Sequence, residues 1–246
     1  MPRGARQFST SGYMHLIIRG NGKQILFEDW EDHHFFLSIL EKYCMETEVK
    51  ILAYCLMDNH VHLLVHDQDN NSSRMMQKIG VSYSGYYNRK YEKTGHLFQD
   101  RFKSEAIEDE AYLLTVFRYI LNNPKKAGIC SAAAYEWNSF PLYDARDSFV
   151  DTSKLRELIG DRKSYLAFMD VEDEDEECME YDRADHSDEW AKHIIQKYLN
   201  IESGTAIQEY NRNKRNAALK ILREKGMSVR QIERFTGINR GIIQRI

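Results

Sequence analysis

The sequence predicts an α+β protein. Its first domain has the ferredoxin-like (split βαβ) order with one additional, tyrosine-bearing helix, and its second domain is small and all-α. Three observations lead to this class. Up to residue 145, the apolar patterns run strand, helix, strand, strand, helix, strand, helix. Residues 170–190 are densely acidic and separate two folded parts. Residues 191–246 show helical patterns that end in a helix-turn-helix pattern.

The first strand, turn and helix occupy residues 13–44. Tyr13–Arg19 is a short strand-like run, and Gly20-Asn21-Gly22 supplies a turn. From Trp30 to Cys44 the apolar side chains recur at helical spacing, which predicts a helix that buries Phe35, Phe36, Ile39, Leu40 and Tyr43.

A hairpin of two strands follows. Lys50–Met57 is predicted as an apolar strand. Residues 60–66 alternate with period two, so one face carries Val61, Leu63 and Val65 while the other carries His60, His62, Leu64 and His66. Asp58-Asn59 is short enough to join two antiparallel strands, although it lacks the usual turn glycine.

A helix, a strand and a last helix complete the first domain, residues 1–145. The helix is predicted from about Ser73 to Tyr91 and the strand from Phe98 to Ile107. The last helix begins near Asp109, since acidic side chains favour a helix start, and Pro124 is expected to stop it. Its buried stripe is Leu113, Val116, Phe117 and Ile120, and its other face carries Tyr112, Thr115, Tyr119 and Asn123. Residues 146–169 are predicted as a peripheral helical extension.

The net charge of −4 hides an uneven distribution. Residues 170–190 hold twelve acidic side chains against one arginine, whereas residues 1–169 are nearly neutral. Residues 205–246 carry ten basic and three acidic side chains. Like charges at this density repel, so the acidic stretch is predicted as a solvated linker, with mimicry of DNA as the alternative. The basic tail is the part expected to attract phosphate.

The composition indicates neither a membrane-spanning nor a secreted protein. The longest apolar run, Ile51–Met57, is far shorter than the roughly 20 residues of a membrane helix, and no charged-then-apolar leader opens the chain. The four cysteines show no CxxC spacing, which argues against a disulfide scaffold or zinc ribbon. We therefore expect a cytoplasmic protein with no membrane partner, and the phosphate-attracting basic tail adds an expected association with the nucleoid.

Two pairs of residues are candidates for chemistry. His60 and His62 point the same way from one strand, so they could ligate one divalent metal ion, although strand histidines are often ordinary surface or core residues. Tyr119 and Asn123 lie one helical turn apart. A tyrosine hydroxyl has a pKa near 10 and is a poor nucleophile unless a neighbour such as a metal ion assists it. The alternative for Tyr119 is that it only packs.

Several motifs together resemble one enzyme family. The run Ala53-Tyr54-Cys55-Leu56-Met57-Asp58-Asn59-His60-Val61-His62-Leu63-Leu64-Val65 resembles the His-hydrophobic-His signature of single-tyrosine HUH transposases with an IS200-like domain. The resemblance is to their REP-associated tyrosine transposase branch. Further matching stretches occur in the expected order: residues 19–22, 95–104, 118–120, 122–124, 127–128 and 137–140.

This resemblance implies a metal-dependent endonuclease and strand transferase that acts on single-stranded DNA near hairpins. In the family, the tyrosine at the Tyr119 position attacks the scissile phosphate and forms a 5′-phosphotyrosine link. The residues that match His60, His62 and Asn123 hold Mg²⁺ or Mn²⁺. Whether the chain acts as a monomer or a homodimer stays open.

Two departures from the family pattern, together with the helix-turn-helix pattern of the tail, motivate an alternative function. Asp58 stands where the family commonly has proline, and Asp100 stands where it commonly has glycine. The alternative is a non-catalytic, domesticated, sequence-specific DNA-binding regulator that retains the transposase scaffold. A third hypothesis, an RNA-reading sheet, is weaker because the central strand offers histidines and aliphatics instead of stacking aromatics.

Contacts with a DNA strand are predicted for four side chains of the first domain, with surface solvation as the alternative for each: Arg19, Asn21, Arg101 and Lys103. Three tyrosines of the second predicted helix could stack on bases. Their place in an apolar helix favours core packing instead: Tyr83, Tyr86 and Tyr87.

The tail carries the helix-turn-helix pattern. Ser228-Val229-Arg230-Gln231 has capping-box spacing, Thr236-Gly237-Ile238 makes the turn, and Asn239 can cap a second helix. On this interpretation duplex DNA is a partner, with phosphate contacts from Arg212, Lys214, Arg215 and Lys220. Major-groove contacts would come from Asn239, Arg240, Gln244 and Arg245. An unrelated small helical domain is the alternative.

Overall fold

A computed structural model describes residues 9–171, 178, 188–201, 203–225, 227 and 229–243. The chain divides into two compact units, Met1–Met179 and Glu180–Ile246. Most of the predicted acidic linker lies outside the described residues, so its state stays a prediction. Over the described part of the chain, no helix has the length and apolar character needed to cross a membrane.

The first unit is built on a four-stranded antiparallel sheet. Its strands are β1 (Tyr13–Arg19), β2 (Lys50–Met57), β3 (His60–His66) and β4 (Lys103–Ile107). They are arranged in the order β2-β3-β1-β4, and all three neighbouring pairs are antiparallel. The order of strands and helices along the chain confirms the predicted α+β class with its split βαβ succession.

Helices α1 (Trp30–Thr47) and α2 (Ser72–Lys90) belong to one core with one face of the sheet. Asp29 begins α1 with a capping box shared with Asp32, which satisfies backbone N–H groups of the first turn. The helix is three residues longer than predicted and ends where Glu48 takes a left-handed conformation, φ 59°. Alternate strand residues point into this core, among them Leu16, Ile18, Val61, Leu63 and Val65.

The tyrosines of α2 belong to this core. Tyr83 and Tyr87 are fully buried, and their hydroxyls donate to the carbonyls of Leu26 (2.6 Å) and Ile25 (3.0 Å). The partly buried Tyr86 donates to the Asp32 carboxylate at 3.0 Å. The preference for core packing over base stacking is therefore confirmed for Tyr83 and Tyr87.

Helix α3 (Glu110–Lys126) covers the opposite face of the sheet. Pro124 does not stop it, which corrects the predicted helix end. Proline has no N–H, so the Ile120 carbonyl loses its regular donor. The side-chain amide of Asn123 lies 3.5 Å from that carbonyl and 2.9 Å from the carbonyl of Tyr119. One lost backbone hydrogen bond near a helix end is thus tolerated.

Strand β4 begins five residues later than the predicted strand from Phe98. The loop before it turns around the end of β1, where the Gln99 N–H donates to Arg19 O (2.9 Å) and the Asn21 N–H donates to Leu97 O (2.8 Å). Phe98 makes only an isolated bridge with Gly20. These contacts use the backbone groups that a longer strand would need for its ladder.

Residues 137–170 add to the cores on both faces of the sheet: Trp137 and Val150 pack on the α1 side, and Tyr143 packs on the α3 side. The predicted peripheral extension contains α4 (Ser153–Ile159) and α5 (Arg162–Asp170), yet Leu155 and Tyr165 are fully buried in the cluster that includes α3. Before α4 in the chain, residues 137–139 pair with β2. The N–H of Leu56 donates to the Trp137 carbonyl, and the N–H of Ser139 donates to the Tyr54 carbonyl. The edge of β2 is therefore covered, and the extension belongs to the core.

The second unit is helical and has its own core. Its helices are α6 (Asp188–Leu199), α7 (Arg212–Glu224), α8 (Val229–Thr236) and α9 (Arg240–Ile243), with a 3₁₀ helix at Gly204–Glu209. Gly237, with φ of 69°, turns the chain between α8 and α9 where a Cβ would clash with the Gln208 side chain. Ser228, which opens the predicted capping box, and Ile246 lie outside the described residues.

Candidate functional site

The strand register assembles a polar cluster on the α3 side of the sheet. His62 lies opposite Ile17 on β1, and His60 lies opposite Arg19. His15 lies opposite Leu64 on one side and Glu105 of β4 on the other. Residues paired across a strand ladder share a face, so His15, His60, His62 and Glu105 project from the same side.

Both histidines predicted as metal ligands have Nδ1 engaged in a hydrogen bond. The rings of His60 and His62 are 4.9 Å apart between centroids. His60 Nδ1 lies 2.7 Å from Asn59 Oδ1, and His62 Nδ1 lies 2.9 Å from His15 Nε2. An amide oxygen only accepts, so neutral His60 carries its proton on Nδ1 and its lone pair on Nε2. A tautomer fixed in this way, as for His60, is typical of metal-ligating histidines.

His15 is a site residue that the sequence interpretation missed. It is fully buried, and its Nδ1 lies 3.7 Å from Oε2 of the half-buried Glu105. The sequence did indicate which face His15 occupies. Met14, Leu16 and Ile18 alternate as core residues, which places His15 on the opposite face. Its partner in the fold could not be read from that pattern.

Burial keeps two of these histidines neutral. Burial, with smaller effects of nearby His60 and His15, holds the pKa of His62 well below 6.5. Burial also lowers the pKa of His15, and the Glu105 carboxylate opposes that shift. A neutral imidazole offers the lone pair that a metal ion needs. His62 can therefore act as a ligand even in mildly acidic solution.

Tyr119 packs against the histidine cluster from α3. Its ring lies edge-on to His62 and to His15, with centroid distances of 5.7 and 5.9 Å. The Nζ of Lys126 lies 4.3 Å from the centroid of the same ring. Lys126 was also missed, although seven residues separate it from Tyr119, the spacing of two helical turns. The structure thus joins the tyrosine and one of the predicted ligands, His62.

Asn123 shares α3 with Tyr119 and is 9% exposed. Its side-chain Nδ2 donates to the backbone, which makes Oδ1 the atom that could face a cation. Within the described ranges, no cluster of three or more His, Cys, Asp and Glu side chains could hold a metal. A bound ion would therefore depend on two imidazoles and this amide oxygen, a donor set that fits Mn²⁺ better than Mg²⁺. The metal site stays a prediction.

The four predicted DNA contacts of the first unit fall into two places. Arg19, 6% exposed, and half-buried Lys103 lie on the histidine face, opposite His60 and Ile17 respectively. Asn21 and Arg101 are exposed and line a groove of about 890 Å³ between α2 and residues 95–102. We call it the α2 groove. The two pairs therefore would meet different parts of a DNA strand.

The predicted contacts of the second unit differ in access. Arg212, Lys214 and Lys220 are exposed on α7, whereas Arg215 is half-buried with its Nε inside, so it is the least suited to meet phosphate. Asn239 caps α9 by accepting from Gly241 N–H at 2.8 Å. Arg240 pairs with Glu233 at 2.8 Å, which competes with a contact to a base. Gln244 and Arg245 lie outside the described residues.

Comparisons with known proteins give a family match and structural matches. Residues 8–123 match the family model described as transposase IS200 like. A solved REP-associated tyrosine transposase bound to a REP hairpin aligns with a TM-score of 0.52 and 18% identity, over 59% of this chain and 87% of that chain. A candidate transposase from Deinococcus radiodurans R1 aligns with a TM-score of 0.35 and 16% identity, over 49% of this chain and 96% of that one. No curated protein matches the chain.

Proposed function

Because residues 8–123 belong to the IS200-like transposase family, we propose that this protein cleaves and rejoins single-stranded DNA beside hairpins, with Tyr119 as the nucleophile. The contact between Tyr119 and His62 carries the proposal. It places the hydroxyl-bearing side chain of Tyr119 against His62, one of the two histidines that could bind a cation.

In the proposed reaction, the Tyr119 oxygen attacks the scissile phosphorus. The bond from phosphorus to the 3′ oxygen breaks, so a 5′-phosphotyrosine and a free 3′-hydroxyl result. A 3′-hydroxyl later attacks the same phosphorus, restores the phosphodiester and releases the tyrosine. The Lys126 ammonium lies close to the ring, where its positive charge can offset negative charge that develops during the attack.

Three residues would hold the cation: His60 and His62 through Nε2, and Asn123 through Oδ1. When bound, Mg²⁺ or Mn²⁺ polarises the phosphate oxygens and offsets the charge that develops on them. Tyr119 is only 3% exposed, so the packing around its ring must open before DNA reaches the hydroxyl.

The DNA partner is inferred from the site and from the structural relative. That relative is bound to a REP hairpin, and here the α2 groove offers Asn21, Gln99 and Arg101 beside Phe98. Polar side chains next to aromatic ones suit unpaired bases and their phosphates. We infer that a hairpin with a single-stranded flank is the substrate.

For the second unit we propose a helix-turn-helix role in binding duplex DNA. Support comes from the separate apolar core, the tight turn at Gly237 and the exposed basic side chains of α7. Phosphate attraction by Arg212, Lys214 and Lys220 would add affinity without adding sequence information.

The decisive experiment is formation of a covalent protein–DNA adduct on a hairpin-bearing oligonucleotide. Wild-type protein should form a denaturation-resistant adduct only when a divalent cation is present, and Tyr119→Phe should form none. The phenylalanine keeps the ring packing and removes the hydroxyl. Tyr112→Phe, on the same helix, is the matched control and should react normally. Failure of the folded, metal-loaded wild type on many hairpins would overturn the proposal.

Of the observations behind the regulator alternative, the tail still supports it, whereas the two aspartates do not alter the strand that carries the histidines. Asp58 is exposed, and its carbonyl accepts from Leu26 and Phe27 while β3 still begins at His60. Asp100 is exposed and accepts from the Arg101 N–H. Neither aspartate displaces the histidine strand. If His60→Ala abolished adduct formation and left DNA binding intact, the regulator alternative would fail.

A further inference from the structure

The buried histidine behind the site has no role in the reaction as described so far. His15 is completely buried in the middle of β1, a position that normally takes an aliphatic residue such as its neighbour Leu16. Burying a polar ring without partners is costly, so both its nitrogens call for an explanation. One nitrogen meets His62 and the other faces Glu105.

The side chains of His62, His15 and Glu105 lie in a row, each near the next. His62 Nδ1 is 2.9 Å from His15 Nε2, and His15 Nδ1 is 3.7 Å from Glu105 Oε2. A hydrogen bond between two neutral imidazoles has two possible directions, and only one of them suits a metal ligand. If His62 donates from Nδ1, its lone pair lies on Nε2, beside the neighbouring His60.

Glu105 decides between the two directions. If His15 donated from Nε2, its own Nδ1 would hold a lone pair that faces the negative carboxylate, which is repulsive. If His15 accepts at Nε2, its Nδ1 carries the proton on the side of the carboxylate; 3.7 Å is too long for a hydrogen bond, so the attraction is electrostatic. The carboxylate therefore selects the state in which His62 donates from Nδ1.

We propose that His15 is a positioning residue that, together with Glu105, fixes the tautomer and ring orientation of His62 so that Nε2 is presented to the cation. The inference rests on the proposed function for the identity of the cation site. The positioning role of His15 is argued from its distances to His62 and Glu105 and from the strand register that brings them together. Asn59 holds His60 in the same tautomer by a single hydrogen bond, so the two ligands are oriented by different means.

The test uses the full-length protein and two readouts other than activity. Mn²⁺ affinity, measured by electron paramagnetic resonance titration, should fall about 10- to 100-fold in His15→Phe, the usual cost of losing such a partner. His15→Gln should recover part of the loss, because its amide oxygen can accept from His62. His66→Phe is the matched control: His66 lies on the same face at the far end of β3, stacked on Tyr13, and its replacement should leave affinity unchanged.

Histidine ¹⁵N chemical shifts of the metal-free protein give the second readout. In wild type, His62 should be the Nδ1–H tautomer, and Glu105→Gln should weaken that preference. Glu105 is half-buried, so this variant is informative even if His15→Phe fails to fold. An Nε2–H tautomer of His62 in wild type, or unchanged Mn²⁺ affinity in folded His15→Phe, would overturn the inference.

The two readouts also separate this inference from the proposed function. If wild type binds no Mn²⁺, the proposed metal site is wrong, yet the tautomer measurement still decides whether His15 orients His62. If Mn²⁺ binding depends on His15 and no DNA adduct forms, the positioning role stands and the proposed reaction falls.

Discussion

Lys126 lies above the ring of Tyr119, with its Nζ 4.3 Å from the ring centroid. Both residues come from α3, so their proximity depends on the helix alone and not on how the units or strands assemble. A cation next to a phenol stabilises the phenolate more than the neutral hydroxyl. The last turn of α3 therefore places a positive charge beside the ring of the candidate nucleophile.

We expect Lys126→Met to slow adduct formation by about tenfold, which corresponds to about 1.4 kcal/mol of lost transition-state stabilisation. Lys126→Arg should keep most of the rate, because the positive charge remains. The measurement is a single-turnover time course of adduct formation at saturating DNA. Lys125→Met removes an exposed lysine of the same turn and should have little effect. Equal slowing by both changes would indicate a general loss of DNA binding instead.

The donor set predicts which cation works better. Imidazole nitrogens bind Mn²⁺ more readily than Mg²⁺, which prefers oxygen. Half-maximal adduct formation should therefore need a lower concentration of Mn²⁺ than of Mg²⁺. His60→Asp replaces a nitrogen donor with oxygen and should narrow that difference. A Mg²⁺ preference in the wild-type protein would contradict two imidazole ligands.

The sequence was sufficient where the structure depends on local geometry. Period two placed His60 and His62 on one face of β3, because side-chain direction in a strand alternates whatever the strand pairs with. The apolar spacing of α3 likewise identified the stripe of Leu113, Val116, Phe117 and Ile120, all of which are buried. These features do not require knowledge of tertiary contacts.

The missing parts of the site depend on pairing between distant segments. His15 reaches His62 only through the register of β1 against β3, and Glu105 only through the register of β4 against β1. Each of these registers pairs strands that are distant in the sequence, so the alternation within one strand does not specify it. The burial of Leu155 and Tyr165 was missed for the same reason, since their cover comes from α3 and β2.

A buried carboxylate at the start of α1 should make the first unit acid-sensitive. Asp32 is fully buried; it accepts from the hydroxyls of Tyr86 and Tyr91 and pairs with Lys90 at 2.9 Å. Burial raises its pKa, but the Lys90, Tyr91 and Tyr86 donors and the Glu28 N–H outweigh that effect and hold the pKa below 3.8. The ionised form therefore stabilises the fold above pH 3.8, and this contribution disappears as pH falls through the lower, folded-state pKa.

Asp32→Asn should lower the free energy of unfolding by about 2 kcal/mol at pH 7, the scale of hydrogen bonds to a charged group. The difference from wild type should shrink below about pH 4. Urea denaturation followed by Trp30 and Trp137 fluorescence, in a Trp190→Phe background, measures it. Glu31→Gln removes an exposed carboxylate that contacts the same lysine at 3.2 Å and should change stability by less than about 0.5 kcal/mol. A pH-independent difference for Asp32→Asn would refute the ionic contribution.

The charge distribution predicts where the salt dependence of duplex binding originates. The exposed basic residues of α7 release counterions if they meet phosphate, and each such contact contributes about 0.9 to the slope of log K against log salt. Replacing Arg212, Lys214 and Lys220 with serine should therefore reduce the slope by about 2 to 3. Fluorescence anisotropy with a duplex across a salt series measures it. The control replaces three exposed basic residues of the first unit, Lys42, Arg146 and Lys163, and so removes the same net charge. If both triple variants lost the same slope, duplex binding would follow net charge and would not be located on α7.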